Sequence, residues 1–178
     1  MSRIKHKAQR VAIFIDVQNL YHSAKNLFHS RVNFESAIRQ ALGLRQLVRV
    51  FAYVVRSEGT DQERTVPTGE TAFFEALENL GVDLRMKDLQ VYPGGFKKAD
   101  WDVGMAVDAI RLANSVDTIV LMTGDGDFVP LVNYLQNQGK QVEVMAFAKS
   151  SSGRLKEVAD SFIDLGENPK MFLLKSNR

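Results

Sequence analysis

The chain has 178 residues, 45% hydrophobic and 25% charged, and its 23 Lys and Arg against 21 Asp and Glu give a formal net charge of +2. That is the composition of one soluble globular domain with a sizeable core, and the net charge alone does not argue for a nucleic-acid partner. The absence of cysteine excludes disulfides and thiolate metal sites, and no apolar run approaches the roughly 18 residues of a membrane span.

Residues 1–10 form a basic lead-in with Arg3, Lys5, His6, Lys7 and Arg10. The apolar run that follows, residues 11–15, is too short for a signal-peptide core, so a cytoplasmic location is expected. This run reads as a buried strand ending at Asp16. A helix follows from about Val17, with Leu20, Ala24, Leu27 and Phe28 at helical spacing. Asn33 is placed to cap a second helix that Gly43 closes. Residues 47–55 read as a second strand, and the polar stretch 56–69 as an exposed loop. Residues 70–80 place Phe73, Phe74, Leu77 and Leu80 on one helical face. Short strands are expected at 82–84 and 89–92, the second ended by Pro93-Gly94-Gly95, with Lys97 and Lys98 following at once.

Residues 102–113 read as a helix whose buried stripe is Val103, Ala106, Val107 and Ile110. The run Thr118-Ile119-Val120-Leu121-Met122 then has the length and continuous apolarity of a strand covered on both faces. It ends in Thr123-Gly124-Asp125-Gly126-Asp127, and a helix is expected from about 127 to 138. Residues 141–147 read as another buried strand, 150–152 as helix-capping serines, and 162–165 as a last short strand. Strands alternating with helices predict an α/β protein with a mainly parallel sheet and right-handed crossovers, although the pattern leaves strand order open. The domain is expected over 11–166, with a tail at 167–178.

Three places put acids at the end of an element. Asp16 closes the first strand with Asn19 three residues on, Asp102 opens a helix with Asp100 just before it, and Asp125 and Asp127 follow the second apolar run. In an open α/β sheet, ligands bind beyond the carboxyl ends of the strands where the strand order reverses. If the first strand and the 118–122 strand are neighbours, at least three carboxylates converge there. Such a cluster calls for a cation. With no cysteine and none of the three histidines beside these acids, all-oxygen ligands point to Mg²⁺ or Mn²⁺. The competing reading is a Gly/Asp turn in which Asp127 caps a helix.

Other chemistries lack their residues. There is no G-x-x-x-x-G-K-[ST] loop, no G-x-G-x-x-G after the first strand and no G-x-S-x-G elbow. An aspartyl-nucleophile phosphatase would need a second acid where Gln18 stands.

The segments Ile13-Phe14-Ile15-Asp16-Val17-Gln18-Asn19-Leu20, Asp102-Val103-Gly104-Met105-Ala106-Val107-Asp108 and Thr123-Gly124-Asp125-Gly126-Asp127-Phe128 resemble the three motifs of NYN domains. The bacterial LabA-like subgroup is the nearest match, and the resemblance spans about residues 10–165. It implies a PIN-like, three-layer α/β/α fold and a metal-dependent ribonuclease acting on RNA. It also implies that Asp16, Asn19, Asp102 and Asp125 occupy metal and active-site positions, with Asp127 in the same pocket. A homodimer is a further implication, since PIN-like relatives often pair. Asp16, Asp102 and Asp125 are the expected metal ligands. Asp108 matches the helix motif's second acid. It lies about 600° around the helix from Asp102, so a structural role is expected, pairing with Arg111.

Ala99 stands where the family often carries a lysine, which leaves Lys97 or Lys98 to meet the phosphate backbone. Trp101 is a candidate for stacking on a base of single-stranded RNA, or for packing the helix start. Tyr21 and His22 follow Asn19 and are candidates to line the crevice. Two other function classes remain open at this point: a non-catalytic RNA-binding or regulatory module on the same scaffold, and hydrolysis of small phosphoesters.

Overall fold

The architecture follows from β1 (Arg10–Asp16), whose five residues from Val11 to Ile15 are all inaccessible to solvent. A strand buried on both faces must be central. The computed structural model describes residues 5–56, 69–88, 90–91, 97–98 and 100–174. The loop expected at 56–69 and the turn at 93–95 fall largely outside the described residues.

With β1, the strands β2 (Gln46–Arg56), β3 (Asp83–Asp88), β6 (Thr118–Met122), β7 (Gln141–Ala146) and β8 (Ser161–Asp164) form one six-stranded parallel sheet. Its order is β3-β2-β1-β6-β7-β8. A two-stranded antiparallel ribbon, β4 (Gln90–Val91) with β5 (Lys97–Lys98), stands apart from the sheet. The ribbon was not anticipated: residues 82–92 read as two successive strands, and only the first of them joins the sheet.

Side chains alternate across β1. Val11, Ile13 and Ile15 enter one core with α1 (Val17–Phe28), α2 (Phe34–Leu42) and α3 (Gly69–Asn79). Ala12 and Phe14 enter the other with α4 (Asp102–Ala113), α5 (Val129–Asn137) and α6 (Gly153–Val158). The result is the expected three-layer α/β/α fold. Local signals set the helix ends. Asn33 caps α2 by accepting the Ser36 N–H at 3.1 Å, and Gly43, at φ +58°, turns the chain out of it.

α4 has the expected bounds but the opposite face inward. Met105, Ala109 and Ala113 are buried, whereas Val103, Val107 and Ile110 are exposed. Small alanines let the helix lie close on the sheet, and periodicity alone does not separate two apolar faces of one helix.

Residues beyond 166, where the sequence carries no strong signal, pack back onto the fold. In the short α7 (Pro169–Phe172), Phe172 is buried with Val32 and Phe34, and its carbonyl accepts the Asn33 N–H at 2.8 Å. Among the described residues no helix is long and apolar enough to cross a membrane.

Candidate metal centre

Strands β1 and β6 are hydrogen-bonded neighbours, Ile15 opposite Met122, so the strand order reverses between them and a crevice opens beyond their carboxyl ends. Asp16, Asn19 and Asp125 face this crevice through one continuous set of hydrogen bonds. The Asp16 carboxylate accepts from the Asn19 N–H at 3.0 Å and from the Thr123 hydroxyl at 3.1 Å. The Thr123 oxygen in turn accepts the Asp125 N–H at 3.2 Å. The Asn19 side-chain oxygen accepts the Gly124 N–H at 2.9 Å.

The loop itself needs its glycines. A Cβ on Gly124 would lie 2.5 Å from the Ser151 hydroxyl and 3.1 Å from its Cα, and one on Gly126 would lie 2.9 Å from the Ser152 hydroxyl. The loop is fastened to the residues before α6 by the Ser152 N–H, which donates to the Gly124 carbonyl at 2.9 Å. The serines at 150–152 are occupied in this packing: Ser150 bonds Ser23, Ser151 bonds the Phe147 carbonyl, and Ser152 caps α6. Asp125 accepts the Asp127 N–H at 2.9 Å and so begins a single 3-10 turn, Gly126–Phe128, before α5.

Asp102 arrives from the side, on the first turn of α4. Trp101 fixes that turn. Its indole N–H donates to the Val54 carbonyl at 2.9 Å, and its ring meets the edge of Tyr53, with ring centroids 5.4 Å apart. Lys87 lies 5.1 Å from the centre of the indole, and Gly104 admits the ring, since a Cβ there would lie 2.7 Å from it. Of the two roles considered for Trp101, its contacts are those of packing the helix start.

One carboxylate oxygen each from Asp102, Asp125 and Asp127 lies within 4.8 Å of the others. These three converge, and Asp16 is not among them. Its carboxylate is turned toward the Asn19 N–H and Thr123, so it supports the loop that carries Asp125. The charges are strongly felt. Burial, then the negative charges of Asp125, Asp100, Asp16 and Asp127, push the Asp102 carboxyl up to about 6. Burial also raises Asp16, and the hydrogen bonds from Asn19 and Thr123 only partly offset it. Oxygen-only donors carrying mutually repelling charges fit a hard divalent cation.

Asp108 is structural, with partners other than the expected Arg111. It accepts from the Tyr53 hydroxyl at 2.8 Å and from Arg85 at 3.3 Å, and burial, then this hydrogen bond and the Asp108 charge, hold the Tyr53 phenol well above its usual range. Lys97 and Lys98 form β5, just before α4, and their side chains lie outside what is described. Tyr21 and His22, with Val17, Gln18, Phe73 and Phe74, line a cavity of about 560 Å³ that none of the four acids lines. Thr123 was not among the candidates from sequence. A hydroxyl between an apolar strand and a Gly-Asp turn was the available signal.

Fold and crevice together define an α/β protein with an acidic cluster suited to a divalent cation at its switch point. Residues 10–166 match the NYN domain, so the chain belongs to the NYN domain family, which generally comprises nucleases. It is 25% identical to the Low amplitude and bright protein LabA of Synechococcus elongatus, covering 97% of this chain and 91% of that protein. Over 70 residues it is 40% identical to an uncharacterized protein of Methanocaldococcus jannaschii, covering 38% of this chain and 29% of that one. The crystal structure of a protein of unknown function from Vibrio parahaemolyticus superposes with a TM-score of 0.80 at 29% identity, covering 97% of this chain and 100% of that one.

Proposed function

We propose that the protein is a metal-dependent ribonuclease that hydrolyses phosphodiester bonds of single-stranded RNA. The observation that carries this reading is the convergence of Asp102, Asp125 and Asp127 at the switch point. These three residues would hold Mg²⁺ or Mn²⁺, with water completing the coordination. When bound, such an ion makes water more acidic and stabilises charge on a phosphoryl group.

The chain's own residues do the rest. Asp16 is a positioning residue: through Thr123 it sets the backbone of Asp125. Asn19 does the same for Gly124. Asp127, the exposed member of the three, is open to solvent on the side where an attacking water enters, and its remaining oxygen orients that water. Lys97 and Lys98 meet the phosphate backbone at the rim, where each such contact adds salt-dependent affinity. The aromatic cavity lined by Val17, Gln18 and Tyr21 on the helix that follows Asp16 takes an unpaired base, which favours single-stranded over duplex RNA. In this reading the protein acts in the cytoplasm.

The test is cleavage of a labelled single-stranded RNA with Mg²⁺ or Mn²⁺. Wild type should cut, and both Asp125→Asn and an EDTA-treated sample should not, while Asp125→Asn keeps its circular dichroism. RNA bound but left whole by wild type would overturn the reading in favour of a regulatory RNA-binding module.

A further inference from the structure

The cavity lined by Tyr21 and His22 carries more recognition chemistry than holding an unpaired base requires. Its apolar part is built from buried Val17 and Val54 and from the rings of Phe34, Phe73 and Phe74. These rings form one wall, with successive centroids 5.7 and 5.8 Å apart. Val17 follows Asp16 directly, and Val54 and Val55 stand near the carboxyl end of β2. The cavity therefore lies at the same end of the sheet as the acids, although none of them lines it. At about 560 Å³ it falls within the roughly 300–1,000 Å³ of small-molecule sites, which hold a ligand by a few placed polar groups in an apolar lining.

Those polar groups say what fills it. Gln18, in the first turn of α1, lines the cavity, and its side-chain amide makes no hydrogen bond among the described residues. An amide presents a donor and an acceptor side by side, the match for the N6/N7 edge of adenine. An acyl chain would leave both unused. Arg31 is exposed in the same lining, and its side chain makes no ion pair or hydrogen bond among the described residues. Glu70, the acid of the lining, is already engaged. A guanidinium with no partner suits a phosphate, which it can hold through two parallel N–H groups. The aromatic wall supplies a surface on which a base stacks. We propose that this cavity is a binding site for a free adenine mononucleotide, adenosine monophosphate (AMP), with the base against the phenylalanine wall, its edge on Gln18 and its phosphate on Arg31.

This extends the base pocket of the ribonuclease reading and rests on that reading in one respect only. If RNA is the substrate, AMP in the cavity competes with an RNA base for the same place. Binding of AMP itself needs neither the acids nor a cation.

Calorimetric titration of the whole chain with AMP in EDTA should show one AMP per chain. Neither Gln18 nor Arg31 is buried, so variants at these positions should keep the wild-type circular dichroism. Arg31→Glu should weaken AMP by about tenfold or more, the weight of one charge-assisted hydrogen bond, and leave adenosine unchanged. Gln18→Ala should erase the preference for AMP over uridine monophosphate. Asp125→Asn should bind AMP as wild type does. No binding of AMP, undiminished binding by Arg31→Glu, or loss of binding in Asp125→Asn would each overturn the proposal, as would decanoate displacing AMP at lower concentration than adenosine does. RNA cleavage without AMP binding would sink this proposal and leave the ribonuclease reading standing, and AMP binding without cleavage would do the reverse.

Discussion

Thr123 shows how one hydroxyl can organise an acidic site without touching a ligand. It donates to Asp16 and accepts from the Asp125 N–H, so the ends of β1 and the β6 loop move as one. Thr123→Val keeps the shape and removes both bonds. Its expected effect is a loss of about 10- to 100-fold in cation affinity, the usual cost of removing such a supporting contact, with a small loss of stability. Calorimetric titration with Mn²⁺ measures it, and unchanged affinity would sink the positioning role. Asp102 supplies a pH dependence. Its carboxyl titrates near 6 in the folded chain, against about 3.9 when unfolded. Between these values the folded state holds a proton that the unfolded state has released. The ion-free protein therefore gains stability as pH falls from 7 toward 5. The same proton competes with a cation, so stabilisation by Mg²⁺ should grow as pH rises through about 6. Melting curves at pH 5 and 7, with and without Mg²⁺, test both signs. Asp102→Asn should weaken both trends, leaving in the ion-free protein the same-signed contribution of Asp16, whose carboxyl burial also raises. A Mg²⁺ effect as large at pH 5 as at pH 7 would contradict the assignment.

Among the elements, those set by local chemistry were readable and those set by choice of neighbour were not. The central strands β1 and β6 announce themselves by continuous apolar runs, since burial on both faces leaves little room for polar residues. The caps at Asn33 and Gly43 are equally local. The α4 face was misjudged because both of its faces satisfy a helical period, and only the sheet beneath decides between them. β7 hides a further surprise. Glu143 is fully buried within it and pairs with Arg45 at 2.9 Å, assisted by Lys5 at 3.3 Å and by the Gln141 amide at 2.8 Å. Nothing in the sequence singles this glutamate out, because its partner Arg45 lies 98 residues away. Removing one partner of such a buried pair leaves a charge without compensation. Arg45→Met should therefore cost about 3–5 kcal/mol, toward the lower end because Lys5 remains. Arg45→Met with Glu143→Leu should cost much less than the sum of the two single changes. Urea denaturation of the three variants checks this. Additive losses would mean that the two side chains contribute independently.

For the molecule as a whole, the site exists only because β1 and β6 are neighbours. The acids of 16, 102, 125 and 127 were all visible in the sequence, but their meeting depends on a strand order that no local pattern encodes. Their resemblance to NYN motifs implied the arrangement in advance of the physics. Which of them converge, and that the Asp16 carboxylate instead bonds the Asn19 N–H and Thr123, emerged only from three-dimensional contacts. The same applies to the residues after 166. Their sequence carries little periodicity, yet the chain returns to close the open side of the α1–α2 layer. Leu173 bridges Val32, the Leu174 N–H donates to the Arg31 carbonyl at 2.8 Å, and Phe172 is only 4% exposed. This closing segment lies at the far end of the chain from β1, so the core it completes joins the two ends of the sequence. Phe172→Ala should then cost about 3–5 kcal/mol, as a phenylalanine removed from a core does, and lower the melting temperature by roughly 10 °C. The acid cluster lies on other elements, so Mn²⁺ affinity in the folded variant should be unchanged. A melting temperature equal to wild type would show that residues beyond 166 are only loosely attached. Lost Mn²⁺ affinity in a folded variant would show that this layer and the crevice are coupled.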